Sequence, residues 1–454
     1  MDAETVDAVV IGMGPGGEDV AGRLAEAGLS VVGIEAELVG GECPYWGCIP
    51  SKMMIRAAHL LAEARRIPGM AGTSTVTPDW APVAERIRAE ATDTWDDTVA
   101  VDRFVGKGGR FVRGRGRLVA PDRVEVGDQA FVARRAVVLA TGTAPAIPPI
   151  EGLADTPYWT NRGAVAATEV PGRLVVLGGG AIGAELAQVF ARFGSAVTVV
   201  EAADRLLPLD EPEAGAIVAG AFAADGIDVI TGVGAERVAH ADGAFTVTLA
   251  DGRTVEADEL LVATGRRADS AGLGAGAVGV PDDARWVPVD DHLRVADGVW
   301  AVGDLTGKGA FTHVAMYQAG IAAADILGDD HEPADYAALP RVTFTDPEVG
   351  AVGRTEADAR EAGIDVAVGV AQVPSSARGW IHKAGNEGFI KLVADRERGV
   401  LVGATSAGPV GGEVLGHLAL AVHARVPLAT LRTMIYAYPT FHRGIEDALR
   451  DLDA

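Results

Sequence analysis

Three patterns recur along the chain: short runs that are apolar almost throughout, turns rich in glycine, and longer stretches with apolar residues at helical spacing. Residues 5–11 form the first run and predict a strand buried on both faces. Gly12-Met-Gly14-Pro-Gly16-Gly17 follows, then a helical stretch through residue 29 and a second strand, 31–34, closed by Glu35. Residues 173–201 repeat this order with strand 173–177, Gly178-Gly-Gly180-Ala-Ile-Gly183, a helix, and strand 197–200 closed by Glu201. The first glycine and the closing acid are 23 residues apart in both copies. Val137-Val-Leu-Ala-Thr141-Gly142 and Leu261-Val-Ala-Thr-Gly265-Arg266-Arg267 each predict a buried strand ending in a turn of small residues. Gly298-Val-Trp-Ala-Val-Gly303-Asp304 predicts another.

A strand, a glycine turn, a helix and a strand form the unit that binds dinucleotides. The first glycine makes the tight turn, the second admits a pyrophosphate to the backbone, and the last lets helix and strand pack closely. The helix N-terminus faces the phosphates. Gly12, Gly14, Gly16 and Gly17 with Glu35 are one candidate set, and Gly178, Gly180 and Gly183 with Glu201 are the other. One such motif is weak, but two in full context with equal spacing outweigh chance glycine turns. Glu201 favours NAD(H) over NADP(H), because a carboxylate repels a 2′-phosphate. Arg205, four residues on, could soften that preference. Thr141, Gly142 and Gly265 close the two units, and Asp304 after Gly303 could accept from sugar hydroxyls.

Gly40-Gly41-Glu42-Cys43-Pro-Tyr45-Trp46-Gly47-Cys48-Ile-Pro-Ser-Lys52 follows the first unit and leads into a predicted helix over 53–65. Both cysteines then sit at or just before a helix N-terminus, which favours thiolate. Positions five apart on an ideal helix point to different sides, so pairing of the sulfurs requires a distorted turn, marked by Pro44 and Gly47.

Composition narrows the class. At 454 residues with 59 glycines, the chain is long enough for about three α/β domains. A net charge of −24 disfavours nucleic acid and anionic membranes. No apolar run reaches 18 residues and no basic leader precedes the first strand, so neither membrane insertion nor a signal peptide is expected, and a cytoplasmic location is. Two cysteines and nine histidines scattered along the chain point to redox chemistry and to no metal site.

With these residues in view, the sequence resembles the flavoprotein pyridine nucleotide-disulfide oxidoreductases: lipoamide dehydrogenase, glutathione reductase, mercuric reductase and their relatives. The redox stretch is similar to the family's Gly-Gly-x-Cys-x-x-x-Gly-Cys-x-Pro-Ser-Lys, and Gly303-Asp304, Thr312-His313-Val-Ala315, Phe344-Thr-Asp-Pro347-Glu348 and Ala377-Arg378-Gly379 also match. The resemblance implies an α/β fold with two Rossmann-like domains, for FAD and NAD, plus a C-terminal α+β dimerisation domain. It implies an FAD domain over 1–149 and 269–338, an NAD(P) domain over 150–268, an interface domain over 339–454, and a homodimer. Cys48 resembles the sulfur beside the flavin and Cys43 the interchange thiol. Lys52 would lie near flavin N5 and pair with Glu185, while Gly41 and His313 belong to the cofactor-binding set. Their plain alternatives are a surface lysine and a surface glutamate on helices. Ala181 stands where some members carry a tyrosine gate.

The C-terminus departs from the family. Tyr438-Pro439-Thr440 aligns with His-Pro-Thr, and Arg443 with the glutamate that orients that histidine. Mercuric reductases also carry tyrosine there, but add a C-terminal cysteine pair that this chain lacks. If Thr440 caps a helix, His442 and Glu446 fall on one face as a displaced acid–base dyad. Tyr438 and His442 are therefore both candidates for proton handling. Tyr45 and Trp46 could wall a substrate site or pack against a partner subunit. The expected reaction passes electrons from NAD(P)H through flavin and the cysteine pair to a small-molecule disulfide or other oxidant. Dihydrolipoamide dehydrogenase and a quinone or small-oxidant reductase are the alternatives within this chemistry. A non-enzymatic flavin-binding protein would have no use for the cysteine pair.

Overall fold

The computed structural model describes residues 3–452, and these form two compact units. One is built from the residues up to Pro50, Glu85–Ala146 and Gly265–Asp335; the other from Ser51–Ala84, Ile147–Thr264 and the chain from Tyr336 onward.

In the first unit the strand Glu4–Ile11 lies at the centre of a sheet, between Val31–Glu35 and Gln129–Leu139, all parallel. Val299–Ala301 extends the parallel order beyond Gln129–Leu139, and Arg110–Arg113 extends it beyond Val31–Glu35. Both faces are covered, which is why the strands read as unbroken apolar runs. Val9, Ile11, Val32 and Ile34 pack with Leu118, Val124 and Phe131 on one face. Ala8 and Val10 pack with Val20, Leu24, Ala319 and Ala322 on the other, bringing helices Pro15–Glu26 and Thr312–Leu327 onto the sheet.

The observed boundaries differ from expectation in three places. The first helix stops at Glu26 and not at residue 29, because Gly28 takes φ +87° and the Leu29 amide turns back to the Leu24 carbonyl. The strand expected near residue 137 begins at Gln129, with Arg134 and Arg135 exposed on its pleat. The helix expected to start at residue 53 starts at Cys48, with Pro50 in its first turn, where a missing N–H costs no helical bond.

The second unit holds a parallel sheet ordered Asp228–Thr231, Ala196–Glu201, Arg173–Leu177, Glu259–Val262, with a three-stranded meander over 235–257. It also holds a five-stranded antiparallel sheet over 340–408, packed against helices Gly411–His423 and Gly444–Asp451. The strand Phe389–Asp395, between Val400–Gly408 and Val366–Gln372, is buried along its whole length and carries one cation, Lys391. Its ammonium lies 2.9 Å from carboxylate oxygens of Glu211, Glu213 and Glu356. Burial works against that charge, but the three carboxylates outweigh it and hold the Lys391 pKa above the ordinary lysine value. The side chains of Lys391 and Glu211 are only 4% and 3% exposed, so neither has water as an alternative partner.

Lys391→Ala is therefore expected to cost about 3–5 kcal/mol of stability, because it strands a buried carboxylate. Lys391→Met should cost as much despite its better packing. Denaturant unfolding measures both, and a loss below about 1 kcal/mol would show that the cluster is effectively solvated.

Candidate redox and dinucleotide sites

Gly12 sits at φ +93°, and a Cβ there would lie 2.4 Å from the Ala140 carbonyl oxygen. A Cβ on Gly17 would lie 2.0 Å from the Gly12 carbonyl oxygen. A Cβ on Gly16 would come within 3.2 Å of Ala315, on the adjoining helix. Around Gly14 the space is open, with Gly41 Cα the nearest atom at 3.9 Å, and the helix starts at the next residue without a side-chain cap. Its first amides are left for an anion. Gly41, at φ +65°, is fixed by the same turn: its Cβ would lie 2.9 Å from Gly14 Cα. The Glu35 carboxylate accepts from the amides of Met13 and Glu37 at 2.8 Å, which anchors it beside the turn.

The second turn repeats this geometry. Gly178 sits at φ +107° with its Cβ position 2.4 Å from the Ala263 carbonyl oxygen, and Gly183 packs with its Cβ position 1.9 Å from the Gly178 carbonyl oxygen. Gly180 has open space, and helix Ala181–Arg192 begins next to it, again uncapped by a side chain. Glu201 accepts from the amides of Gly179 at 2.6 Å and Ala203 at 2.7 Å. Arg205 turns away from it and donates to the carbonyls of Pro208 and Asp210 in its own loop.

Gly142 and Gly265 both hold positive φ. The Thr141–Gly142 turn leads into a two-residue ladder, Ala144–Pro145 against Arg266–Arg267. Arg266 donates to the hydroxyl and carbonyl of Thr143, at 2.8 and 2.5 Å. The Thr143 hydroxyl donates to Asp304 at 3.1 Å. Burial pushes the Asp304 carboxyl above the usual range, against the opposing pull of Arg266 and Thr143. Gly303, at φ +81°, gives its amide to the fully buried Gln318 at 2.6 Å. His313 stacks on Phe311, with ring centroids 5.1 Å apart.

The cysteines are separated by the expected break: Cys43 lies in the turn Glu42–Tyr45, and Cys48 opens the helix Cys48–Arg65. Gly47 permits the break, since its Cβ position is 3.1 Å from the Glu42 carbonyl oxygen. A helix N-terminus favours thiolate, yet the Cys43 pKa is raised, first by its hydrogen bond to Cys48 and then by burial. The Cys48 sulfur also lies 3.6 Å from the Thr312 hydroxyl. Tyr45 is a core residue, 6% exposed, and not a wall, while Trp46 stacks on Trp95 at 5.2 Å between centroids. Lys52 is brought to Glu185 at 2.8 Å. The other Glu185 oxygen accepts from the Phe344 amide at 2.8 Å, and the Lys52 ammonium lies 4.6 Å from the centre of the Phe344 ring.

The displaced C-terminal dyad does not form. Thr440 caps no helix; the last helix spans Gly444–Asp451 and begins after Arg443, and the Thr440 hydroxyl donates to the Ala437 carbonyl. Glu446 is taken by Arg443 and Arg450. His442 instead stacks on His417, with centroids 6.1 Å apart. Tyr438 is 70% exposed, with the Arg443 guanidinium 5.4 Å from its ring centre.

Residues 6–319 match the family model for pyridine nucleotide-disulphide oxidoreductase, and residues 339–449 match that family's dimerisation domain. The chain belongs to the pyridine nucleotide-disulphide oxidoreductase family. It is 34% identical to a mercuric reductase of Acidithiobacillus ferrooxidans over 98% of this chain and 82% of that protein. It is also 34% identical to a dihydrolipoyl dehydrogenase of Halobacterium salinarum over 97% of this chain and 95% of that one. Among solved structures it is similar to LpdA from Mycobacterium tuberculosis, with TM-score 0.86, 26% identity and 100% of both chains covered. It is likewise similar to the HOCl-induced flavoprotein disulfide reductase RclA from Escherichia coli, with TM-score 0.85, 27% identity, 98% of this chain and 99% of that one.

As a member of this oxidoreductase family the protein is an FAD-dependent enzyme that uses NAD(P)H, and both glycine cradles fit such dinucleotides. Sequence reasoning gave no role to Thr312, Thr143, Arg266 or Gln318. Thr312 and Arg266 stood inside matched segments, so their signal was present. Thr143 and Gln318 are single polar residues in apolar surroundings, and nothing local distinguishes them.

Gly17→Val should leave little room for the helix to close on the first turn, and the protein is expected to purify with most of its FAD missing. Flavin absorbance per chain measures this, with Gly22→Val, on the same helix beside the flexible Lys107 side chain, as the reference.

Proposed function

We propose that the protein is an NADH-preferring reductase that delivers electrons through the Cys43–Cys48 pair to a small-molecule disulfide or other oxidant distinct from lipoamide. The observation that carries this reading is the thiol pair itself: two sulfurs joined by a hydrogen bond across a helix break, one at the first position of an uninterrupted helix. FAD, when bound, supplies two-electron transfer between nicotinamide and sulfur. Cys48 then acts as the sulfur nearest the flavin and Cys43 as the interchange thiol. With a disulfide acceptor, Cys43 loses its proton and attacks one acceptor sulfur, releasing the other as a thiol. Cys48 next attacks the Cys43 sulfur, frees the second thiol and restores the internal disulfide. The Lys52–Glu185 pair orients the ammonium near the flavin, one helical turn after Cys48. In this reading Gly12, Gly14, Gly16, Gly17, Glu35, Gly41, Thr141, Gly142, Gly303, Asp304 and His313 hold FAD, and Gly178, Gly180, Gly183, Glu201 and Gly265 hold NAD(H).

The proposed domains are FAD-binding over 1–149 and 269–338, NAD-binding over 150–268, and an interface domain over 339–454. The dimerisation-domain match supports a homodimer. Among the described residues no helix is long and apolar enough to cross a membrane, and we assign a cytoplasmic location. Relatives named dihydrolipoyl dehydrogenase support lipoamide as the second reading. Against it stands Tyr438, an exposed phenol where that activity uses a histidine. A phenol can donate a proton but, unlike an imidazole, is a poor general base at neutral pH.

Purified protein reduced anaerobically with NADH should develop a long-wavelength absorption band. Cys48→Ser should abolish the band and Cys43→Ser should keep it. A screen of lipoamide, small disulfides, quinones and Hg(II) should then give the fastest turnover with an acceptor other than lipoamide. If lipoamide turns over fastest, the second reading is right.

Glu201 held on two amides, with Arg205 turned into its own loop, leaves a carboxylate where a 2′-phosphate would lie. NADH should reduce the flavin at least tenfold faster than NADPH at equal concentration, and Glu201→Ala should narrow that ratio. A wild-type ratio near one in stopped-flow reduction would refute the assignment.

A further inference from the structure

The sequence reading treats the nine histidines as scattered and expects no metal site. The fold brings two of them together at the edge of the first unit. His292 lies in a tight turn in which Asp290 accepts from the amides of His292 and Arg294, at 2.9 and 2.8 Å. His331 follows helix Thr312–Leu327 and its Gly328 cap, which sits at φ +80°. The Ala334 amide donates to the Asp291 carbonyl at 2.7 Å and ties the two segments together. His292 Nδ1 and His331 Nε2 are 2.9 Å apart, and Asp325 Oδ1 is 3.8 Å from His331 Nε2. The three candidate ligand atoms all lie within 4.8 Å of one another, the only such group among the described residues.

The hydrogen bonds around these atoms fix where the lone pairs are. His331 Nδ1 lies 3.0 Å from the Asp329 carbonyl oxygen, which can only accept, so Nδ1 carries the proton and Nε2 carries the lone pair. Asp325 is clamped by Arg294 through both oxygens at 2.6 Å and by the Trp300 indole at 2.8 Å, which holds it as a carboxylate. Its Oδ1 takes one of these bonds and keeps a lone pair on the side of His331. With the His331 lone pair 2.9 Å away, His292 Nδ1 donates in the metal-free protein, and binding an ion moves that proton to solvent or to Nε2, which faces Asp291 Oδ1 at 3.8 Å. His331, with its second nitrogen held by a backbone carbonyl, has the arrangement found around ligating histidines. The His331 and Asp325 side chains are 15% and 7% exposed, whereas His292, at 38%, has room to adjust. Two ligand atoms at about 2.0–2.1 Å from a tetrahedral zinc ion stand about 3.3–3.4 Å apart, so His292 must withdraw by about 0.4–0.5 Å and Asp325 Oδ1 must close on His331 by a similar distance.

We propose that His292, Asp325 and His331 form a binding site for a divalent d-block cation of the Zn(II), Ni(II) or Cu(II) class. Two imidazoles and one carboxylate select such ions over Mg(II) and Ca(II), which take oxygen ligands. The bound ion joins the 290–294 turn to the end of helix Thr312–Leu327 and leaves at least one coordination position to solvent. This site uses none of the residues assigned to electron transfer.

The test uses full-length, FAD-loaded Cys43→Ser/Cys48→Ser protein, so that the thiols cannot bind the probe. Zn(II) titrated by calorimetry should bind at one ion per chain and raise the melting temperature. His331→Ala and, as a milder change, His331→Gln should each weaken binding at least tenfold and remove the thermal shift. His292→Ala should do the same, while Asp291→Asn should reduce affinity no more than threefold. Flavin absorbance and the metal-free melting temperature report that each variant is folded. Unchanged Zn(II) affinity in the folded His331 variants would overturn the proposal. So would loss of binding in His417→Ala, which would move the site to the stacked His417–His442 pair.

Discussion

The requirement that main chain touch main chain at the two nucleotide turns governs much of this molecule. A pyrophosphate can be held by backbone amides only if no side chain stands between them. At Gly12 and Gly17 the clearance is so small that a single added carbon would overlap a carbonyl oxygen. The same holds at Gly178 and Gly183. These contacts draw each helix against its strand and point the uncapped helix N-terminus at the phosphate position. They also place Glu35 and Glu201, each pinned by two backbone amides, at the far end of the following strand.

The first turn extends this constraint to the redox centre. Gly41 packs on Gly14, so the segment carrying Cys43 is registered on the nucleotide turn itself. The break at Trp46 and Gly47 then lets two sulfurs five residues apart meet, which a continuous helix forbids. Contact with Cys48, and then burial, raises the Cys43 pKa. Thr312, at the start of a helix remote in sequence, completes the surroundings of Cys48.

Buried charge organises the second unit. Arg192 is almost fully enclosed and pairs with Asp225 and Asp346, while Arg66 makes a second contact to Asp346. Lys391 gathers Glu211, Glu213 and Glu356. Removing Lys391 would strand the buried Glu211, and removing Arg192 would cost Asp346 one of its two guanidinium partners, so these clusters fix how the C-terminal sheet is seated within that unit more than they add net stability.

The sequence by itself determined the elements whose signal is local. Glycine spacing, apolar runs and the Cys43–Cys48 stretch each follow from what a few consecutive residues can do, and they revealed both nucleotide units, the thiol pair and the family. Helix and strand ends were less legible, because Gly28 and Pro50 act through φ and a missing amide, which apolar periodicity does not register. The tertiary structure alone decided the pairings between residues far apart in the chain. That Thr143 pairs with Asp304, Cys48 with Thr312 and His292 with His331 is not written in the local sequence around either partner. It also undid the His442–Glu446 dyad, because the Arg443 and Arg450 guanidinium groups take Glu446. Which partner a polar side chain takes depends on every charge within reach, and the fold assembles that set.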